Sequence, residues 1–288
     1  MSSLKFARLL LALVIVTPWW VSPFAQNEAA VQADYDKAEQ RITMRDGVRL
    51  FTSIYSPKDK RQKYPILLLR TPYSVGPYGP KEFKTSLGPS QLFQNEKYIF
   101  VYQDVRGKYL SEGEFVNVRP HIPSKRPRDI DESSDTYDTI DWLIKNVPNN
   151  NGRVGMWGIS YPGFYAAMGI VDAHPALKAS SPQAPIADWF IGDDFRHNGA
   201  LLLSHAFNFL ASFGQPRPQP TTTSPARFRH GTTDGYSFFL ELGPVKNADE
   251  RHFKGNIAFW KELLEHPNYD EFWQARNTLP HFKNVNRR

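Results

Sequence analysis

The stretch Arg153 to Gly163, read as Arg-Val-Gly-Met-Trp-Gly-Ile-Ser-Tyr-Pro-Gly, constrains the fold more than any other part of the chain. Val154 to Trp157 is a short apolar run of the kind that forms a strand. Phe164 to Val171 is apolar and rich in small residues, as in a packed helix. Gly158-Ile159-Ser160 must turn the chain sharply between them. A serine on a tight strand-to-helix turn is the nucleophile-elbow arrangement. The residue two before the serine must be small, because a side chain there would collide with the neighbouring strand or helix. Gly158 meets that demand. The turn lifts the Ser160 hydroxyl above the sheet and points the backbone N–H of Tyr161 into the same space. The pattern departs from G-x-S-x-G, since Pro162 stands second after the serine and Gly163 third. Proline suits the first turn of a helix, where its missing N–H has no partner anyway. The plainer alternative is a serine that only caps an ordinary helix.

With 288 residues and 41% apolar content, the chain can build one large domain or two modest ones. The net charge is +6, or +4 without Lys5 and Arg8 of the N-terminal segment. Basic residues are scattered, and the densest group, Lys125-Arg126-Pro127-Arg128, reads as a solvated loop rather than a nucleic-acid surface. The absence of cysteine excludes disulfides and thiolate metal sites, and suits an exported protein.

Residues 1–25 read as an export signal, with Lys5 and Arg8 before the apolar run Leu9 to Val16 and Ala25 as a last residue. That run is short for a transmembrane helix; an uncleaved anchor is the alternative. A periplasmic or secreted protein is expected, with no stable membrane span. Residues 26–38 are polar and read as a mobile leader. Arg41 to Tyr55 reads as a β-hairpin turning at Asp46-Gly47. Pro65 to Leu69 and Tyr98 to Tyr102 are continuous apolar runs, the mark of strands buried on both faces, with a helix over Gln91 to Glu96 between them. A helix is expected over Ser134 to Asn146, favoured by Asp129, Asp131 and Glu132 near its N-terminus. A further strand covers Leu177 to Ala184. This rhythm means an α/β fold, a mostly parallel sheet with helices on both faces, and places functional groups at the strands' carboxyl ends. Arg70 to Tyr73, Asp104 to Gly107 and Ser160 fall there. After about Ile186 the chain reads as a helical insertion: helices over 199–213, Asn256 to Glu265 and Asp270 to Ala275, and a proline- and threonine-rich loop from Gly214 to Pro225.

Several separated segments together resemble one family. Arg70-Thr71-Pro72-Tyr73, Asp104-Val105-Arg106-Gly107 with Ser111-Glu112-Gly113, and Gly158 to Gly163 look like the cocaine-esterase and X-prolyl-dipeptidyl-peptidase group of α/β-hydrolases. Asp193-Asp194-Phe195-Arg196-His197-Asn198-Gly199 resembles the α-amino-acid ester hydrolases, also known as glutaryl-7-aminocephalosporanic-acid acylases, within it. The resemblance implies an α/β-hydrolase core with an inserted helical cap and a C-terminal jelly-roll. Residues 39–186 match the first part of the core and 187–288 much of the cap. The later core strands and the jelly-roll have no counterpart, so the chain reads as truncated and incomplete as a hydrolase.

By resemblance Ser160 is the acylated nucleophile, which needs a histidine base and an acid that orients it. The Tyr161 N–H is one oxyanion donor by the elbow's geometry. The Tyr73 phenol is the second by resemblance; its alternative is a tyrosine packed at a strand end. Asp194 matches the acidic position that binds a substrate α-ammonium group; the alternative is a helix cap. Asp104 and Arg106 are expected to bond loop backbone and each other beneath the site, and Asp46 to form a turn. His197 and His205 show no metal-ligand spacing. His230, His252, His266 and His281 follow Ser160, but none lies in a segment like the family's histidine loop, so the triad acid and histidine are expected beyond Arg288. The expected partner is a small acyl ester or amide, with no nucleic acid and no cofactor; a homo-oligomer is compatible. An acyltransferase, a peptidase of the dipeptidyl type and a non-catalytic binder are the competing readings.

Overall fold

The computed structural model describes residues 23–192, 194–283 and 285. The basic and apolar parts of the expected export signal lie outside them. The architecture is α/β. Its main sheet contains β1 (Tyr35–Thr43), β2 (Arg49–Pro57), β3 (Tyr64–Thr71), β4 (Ile99–Asp104), β5 (Asn150–Ile159) and β6 (Leu177–Gln183), in the order β1-β2-β4-β3-β5-β6. The β1–β2 and β2–β4 pairs are antiparallel, and β4, β3, β5 and β6 run parallel. Leu68 of β3 sits opposite Val101 of β4 and Met156 of β5.

The two-residue period of the strands divides the core. Ile66 and Leu68 of β3 face one side with Ile99 and Val101 of β4, under Ile140 and Leu143 of α3 (Glu132–Asn146) and Phe164 of α4 (Tyr161–Met168). Leu67 and Phe100 face the other side with Phe51, Tyr55 and Tyr102. Both faces are covered, which explains the uninterrupted apolar runs. The N-terminus of α3 is fixed by a capping box between Asp131 and Ser134.

The segment 26–38 is a correction. It is not a mobile leader: α1 (Pro23–Asp34) runs through it and β1 begins at Tyr35. Val31 and Tyr35 are fully buried on the second face, and the Tyr35 phenol donates to the Gln94 carbonyl at 3.1 Å on α2 (Gln91–Asn95). Two buried side chains and the first four ladder positions of β1, Tyr35 to Ala38, order a stretch that looks polar in sequence.

Beyond Ile186 the chain is mostly helical, with differences from the expected elements. A short hairpin of β7 (Arg196–His197) and β8 (Ala200–Leu201) precedes α5 (Leu203–Phe213). Asn198 and Gly199 both have positive φ, 48° and 86°, as a tight hairpin turn requires, so the helix starts later than residue 199. A helix that the sequence did not suggest, α6 (Gly235–Leu242), follows the proline-rich loop, capped by Asp234. A π-helical turn (Asp249–Phe253), α7 (Ala258–Glu265), α8 (Glu271–Gln274) and a 3-10 turn (Leu279–Phe282) complete it. Phe207, Trp260 and Trp273 form its interior, and Trp189 and Phe195 join that interior to the main core. Among the described residues no helix is long and apolar enough to cross a membrane.

Candidate active site

The elbow between β5 and α4 is built as its sequence demands. A Cβ on Gly158 would overlap the Pro162 carbonyl one turn on, and one on Gly163 would come within 2.6 Å of the Gln183 carbonyl of β6. Ser160 is held at φ 62° and ψ −122°, a conformation that L residues avoid. Its N–H bonds the Gln183 carbonyl at 2.9 Å and its carbonyl accepts from Phe164 N at 3.0 Å, so both sides of the turn are pinned. The Ser160 hydroxyl makes no cap bond, and the side chain is exposed. Simple helix capping therefore does not account for this serine. Tyr161, at the first position of α4, has an N–H with no intrahelical partner.

The Tyr161 ring lies below the turn and joins the other site residues. Its phenol donates to Asn117 Oδ1 at 3.1 Å and accepts from Val118 N at 3.0 Å. Burial holds that phenol well above the ordinary tyrosine range. The ring meets Tyr73 edge-on at 6.3 Å, Trp189 edge-on at 5.9 Å and Phe213 at 5.5 Å. Tyr73 follows β3, the parallel neighbour of β5, and is 42% exposed as a residue. Burial of the ring, then the Asp194 carboxylate, pushes the Tyr73 phenol up to about 12, which keeps it protonated at neutral pH. Asp194 accepts from Trp189 Nε1 at 2.9 Å. Tyr73, Tyr161 and Asp194 are thus brought around one elbow. Asp194 does not cap α5, whose N-cap is Leu202.

The sequence reading missed the parts that hold these groups: Trp189, Phe213 and Asn117. Only distant packing defines them, and no local spacing signals it. The Asp104 and Arg106 expectation is half corrected. Asp104 does bond loop backbone, accepting from Val75 N at 3.0 Å and Leu110 N at 3.3 Å, and from the Tyr78 phenol at 3.0 Å. It thereby fixes the loop that carries Tyr73. Burial pushes its carboxyl up to about 7. Arg106 does not bond Asp104. It pairs with Asp135 at 2.7 Å and Asp46 at 2.7 Å, because its side chain reaches back to α3 and the β1–β2 turn.

Among the described residues, none of the four late histidines bonds the elbow. His230 Nε2 bonds Asn208 at 2.7 Å, and His252 packs edge-on against Phe228 at 5.3 Å. His266 bonds Asp270 at 2.7 Å and stacks on Phe272 at 4.2 Å, and His281 packs on His121 at 4.5 Å. Among the described residues no group of three or more His, Cys, Asp or Glu could hold a metal ion.

The fold and the exposed serine elbow define an α/β-hydrolase. The sequence pattern of the X-Pro dipeptidyl-peptidase family (S15) matches residues 46–287, and the chain belongs to that family. A cocaine esterase from Rhodococcus sp. (strain MB1 Bresler) is 30% identical over 258 residues, covering 85% of this chain and 41% of the esterase. Two solved structures are also similar. An aminopeptidase from the marine sediment archaeon Thaumarchaeota archaeon matches with a TM-score of 0.76 and 35% identity, over 91% of this chain and 42% of that one. An α-amino-acid ester hydrolase matches with a TM-score of 0.76 and 34% identity, over 94% of this chain and 44% of that one. The chain spans less than half the length of each of these relatives.

Proposed function

We propose that this chain carries the nucleophile and oxyanion half of a serine hydrolase for small acyl esters or amides. The observation that carries the reading is Ser160, exposed at φ 62° with its hydroxyl unused as a cap. Ser160 Oγ passes its proton to the base as it attacks the acyl carbon; the tetrahedral adduct expels the alcohol or amine, which takes that proton, and water then frees the acid from the acyl-enzyme. The Tyr161 N–H and the Tyr73 phenol donate to the oxyanion as charge develops there. A histidine base and an acid after the cap complete the site, as the usual chain order on this fold implies. Export follows from the reading of residues 1–25.

Asp194 supports a substrate with a free α-amine. Its partner in the structure, Trp189 Nε1, leaves the carboxylate further acceptor capacity beside Tyr73. The names of the two solved relatives, an aminopeptidase and an α-amino-acid ester hydrolase, agree with such a substrate. Removing a charge-assisted bond of this kind costs about tenfold or more in binding. In the longest polypeptide that the coding sequence supplies, Asp194→Asn is therefore expected to raise KM for amino-acid esters. Matching esters without the amine should change little. Equal effects on both would refute the role of Asp194.

A further inference from the structure

Beside Tyr73 lies a cavity of about 780 Å³, within the usual size for small-molecule sites. Tyr73, Tyr109, Phe209 and Phe213 supply its aromatic walls, and the proline-rich loop forms one side of it. Arg217 staples that loop down, donating to the carbonyls of Gly107 at 2.7 Å, Tyr109 at 2.9 Å and Ser111 at 2.9 Å. Thr221 N adds a bond to the Tyr109 carbonyl at 2.9 Å. The cavity is therefore a built feature rather than a gap under a loose loop.

Its charge is one-sided. Lys108, Arg217 and Arg227 line it, and no aspartate or glutamate does. Lys108 Nζ donates to the Phe213 carbonyl at 3.0 Å and sits 3.7 Å from the Phe213 ring centre and 4.2 Å from that of Phe115. Ring faces and a carbonyl stabilise an ammonium only partly. No carboxylate among the described residues forms an ion pair with any of the three cations. Burial, then Arg217, pushes the Lys108 ammonium down to about 7. A buried cation held this way gains most from an anion that enters beside it.

We propose that this cavity binds the carboxylate of a small aromatic acid, with Lys108 pairing the carboxylate and Tyr109, Phe209 and Phe213 holding the ring. That the bound acid is part of a substrate rests on the Ser160 reading, but carboxylate binding itself does not. The experiment reads binding without turnover, so the two readings fail separately.

The 288-residue chain is titrated calorimetrically with phenylacetate and with neutral phenylacetamide. Phenylacetate is expected to bind about tenfold or more tightly, the size of a charge-assisted bond. In Lys108→Met, which keeps the apolar stem, the preference should collapse to near one. The same preference in the wild type should also fall as pH rises from 6 to 9, because the anion pairs only with the protonated amine. Phenylacetate stays ionised throughout that range. Arg217 faces Lys108, and Tyr73, Tyr109 and Arg227 are the other titratable groups on the cavity; none of them loses a positive charge over that range, but Asp104, which acts on Arg217, gains a negative charge near pH 7, so the fall with pH must be read against a variant. Lys108→Arg, which keeps its charge across that range, should retain the preference and lose most of its fall with pH, so a misfolded Lys108→Met does not remove the test. Equal binding of acid and amide, no binding of phenylacetate, a preference that survives Lys108→Met, or one flat with pH would each overturn the proposal.

Discussion

Asp135→Ala is expected to cost about 3–5 kcal/mol of folding stability, the range for breaking one partner out of a buried ion pair. Asp135 is 1% exposed and stands between two buried guanidinium groups. It takes two bonds from Arg106, at 3.0 Å and 2.7 Å, and pairs with Arg70 Nη2 at 3.7 Å. Arg70 is fully buried and is otherwise held by Gln103 at 2.9 Å, Thr136 at 2.9 Å and Glu132. Alanine would leave Arg106 with Asp46 alone and would leave Arg70 Nη2 without a partner. The network ties α3 to the ends of β3 and β4, so the loops that carry Tyr73 and Lys108 would loosen with it. Denaturant unfolding of both proteins reads the cost. A loss below about 1 kcal/mol, the level of a surface pair, would show that the network is not what fixes these strand ends.

Ester turnover by the 288-residue chain on its own is expected to match that of its Ser160→Ala variant. A positioned base contributes about 10²–10⁴ in rate. The structure gives the Ser160 hydroxyl no hydrogen bond among the described residues, and the late histidines are engaged elsewhere. Without a base, Ser160 keeps the reactivity of an ordinary alcohol. Robust turnover that depends on Ser160 would show that a histidine within this chain, such as His230 or His281, completes the site.

The parts of the fold legible in the sequence are those that local rules specify. β3 and β4 show as unbroken apolar runs because they are buried on both faces. The elbow shows because only glycine fits at residue 158, and α3 shows because of its apolar face, Ile140, Leu143, Ile144 and Val147, and the acidic residues near its N-terminus. α1 did not, since Val31 and Tyr35 alone anchor a polar stretch. Nor did α6: its Phe-Phe-Leu run follows a Gly- and Thr-rich segment and reads equally as loop. In the site, Ser160 and Tyr161 follow from the turn, but Tyr73 and Asp194 needed the family resemblance. Their meeting depends on the Tyr161 ring and Trp189, which only the tertiary fold brings together. Arg106 misled because its neighbour in sequence, Asp104, is not its partner in space.

The most direct measurement is to treat the longest polypeptide that the coding sequence supplies with a fluorophosphonate and map the modified peptide by mass spectrometry. A single adduct on Ser160 is expected, and it disappears in Ser160→Ala. An adduct on another residue, or labelling that persists unchanged in Ser160→Ala, would contradict the role of Ser160.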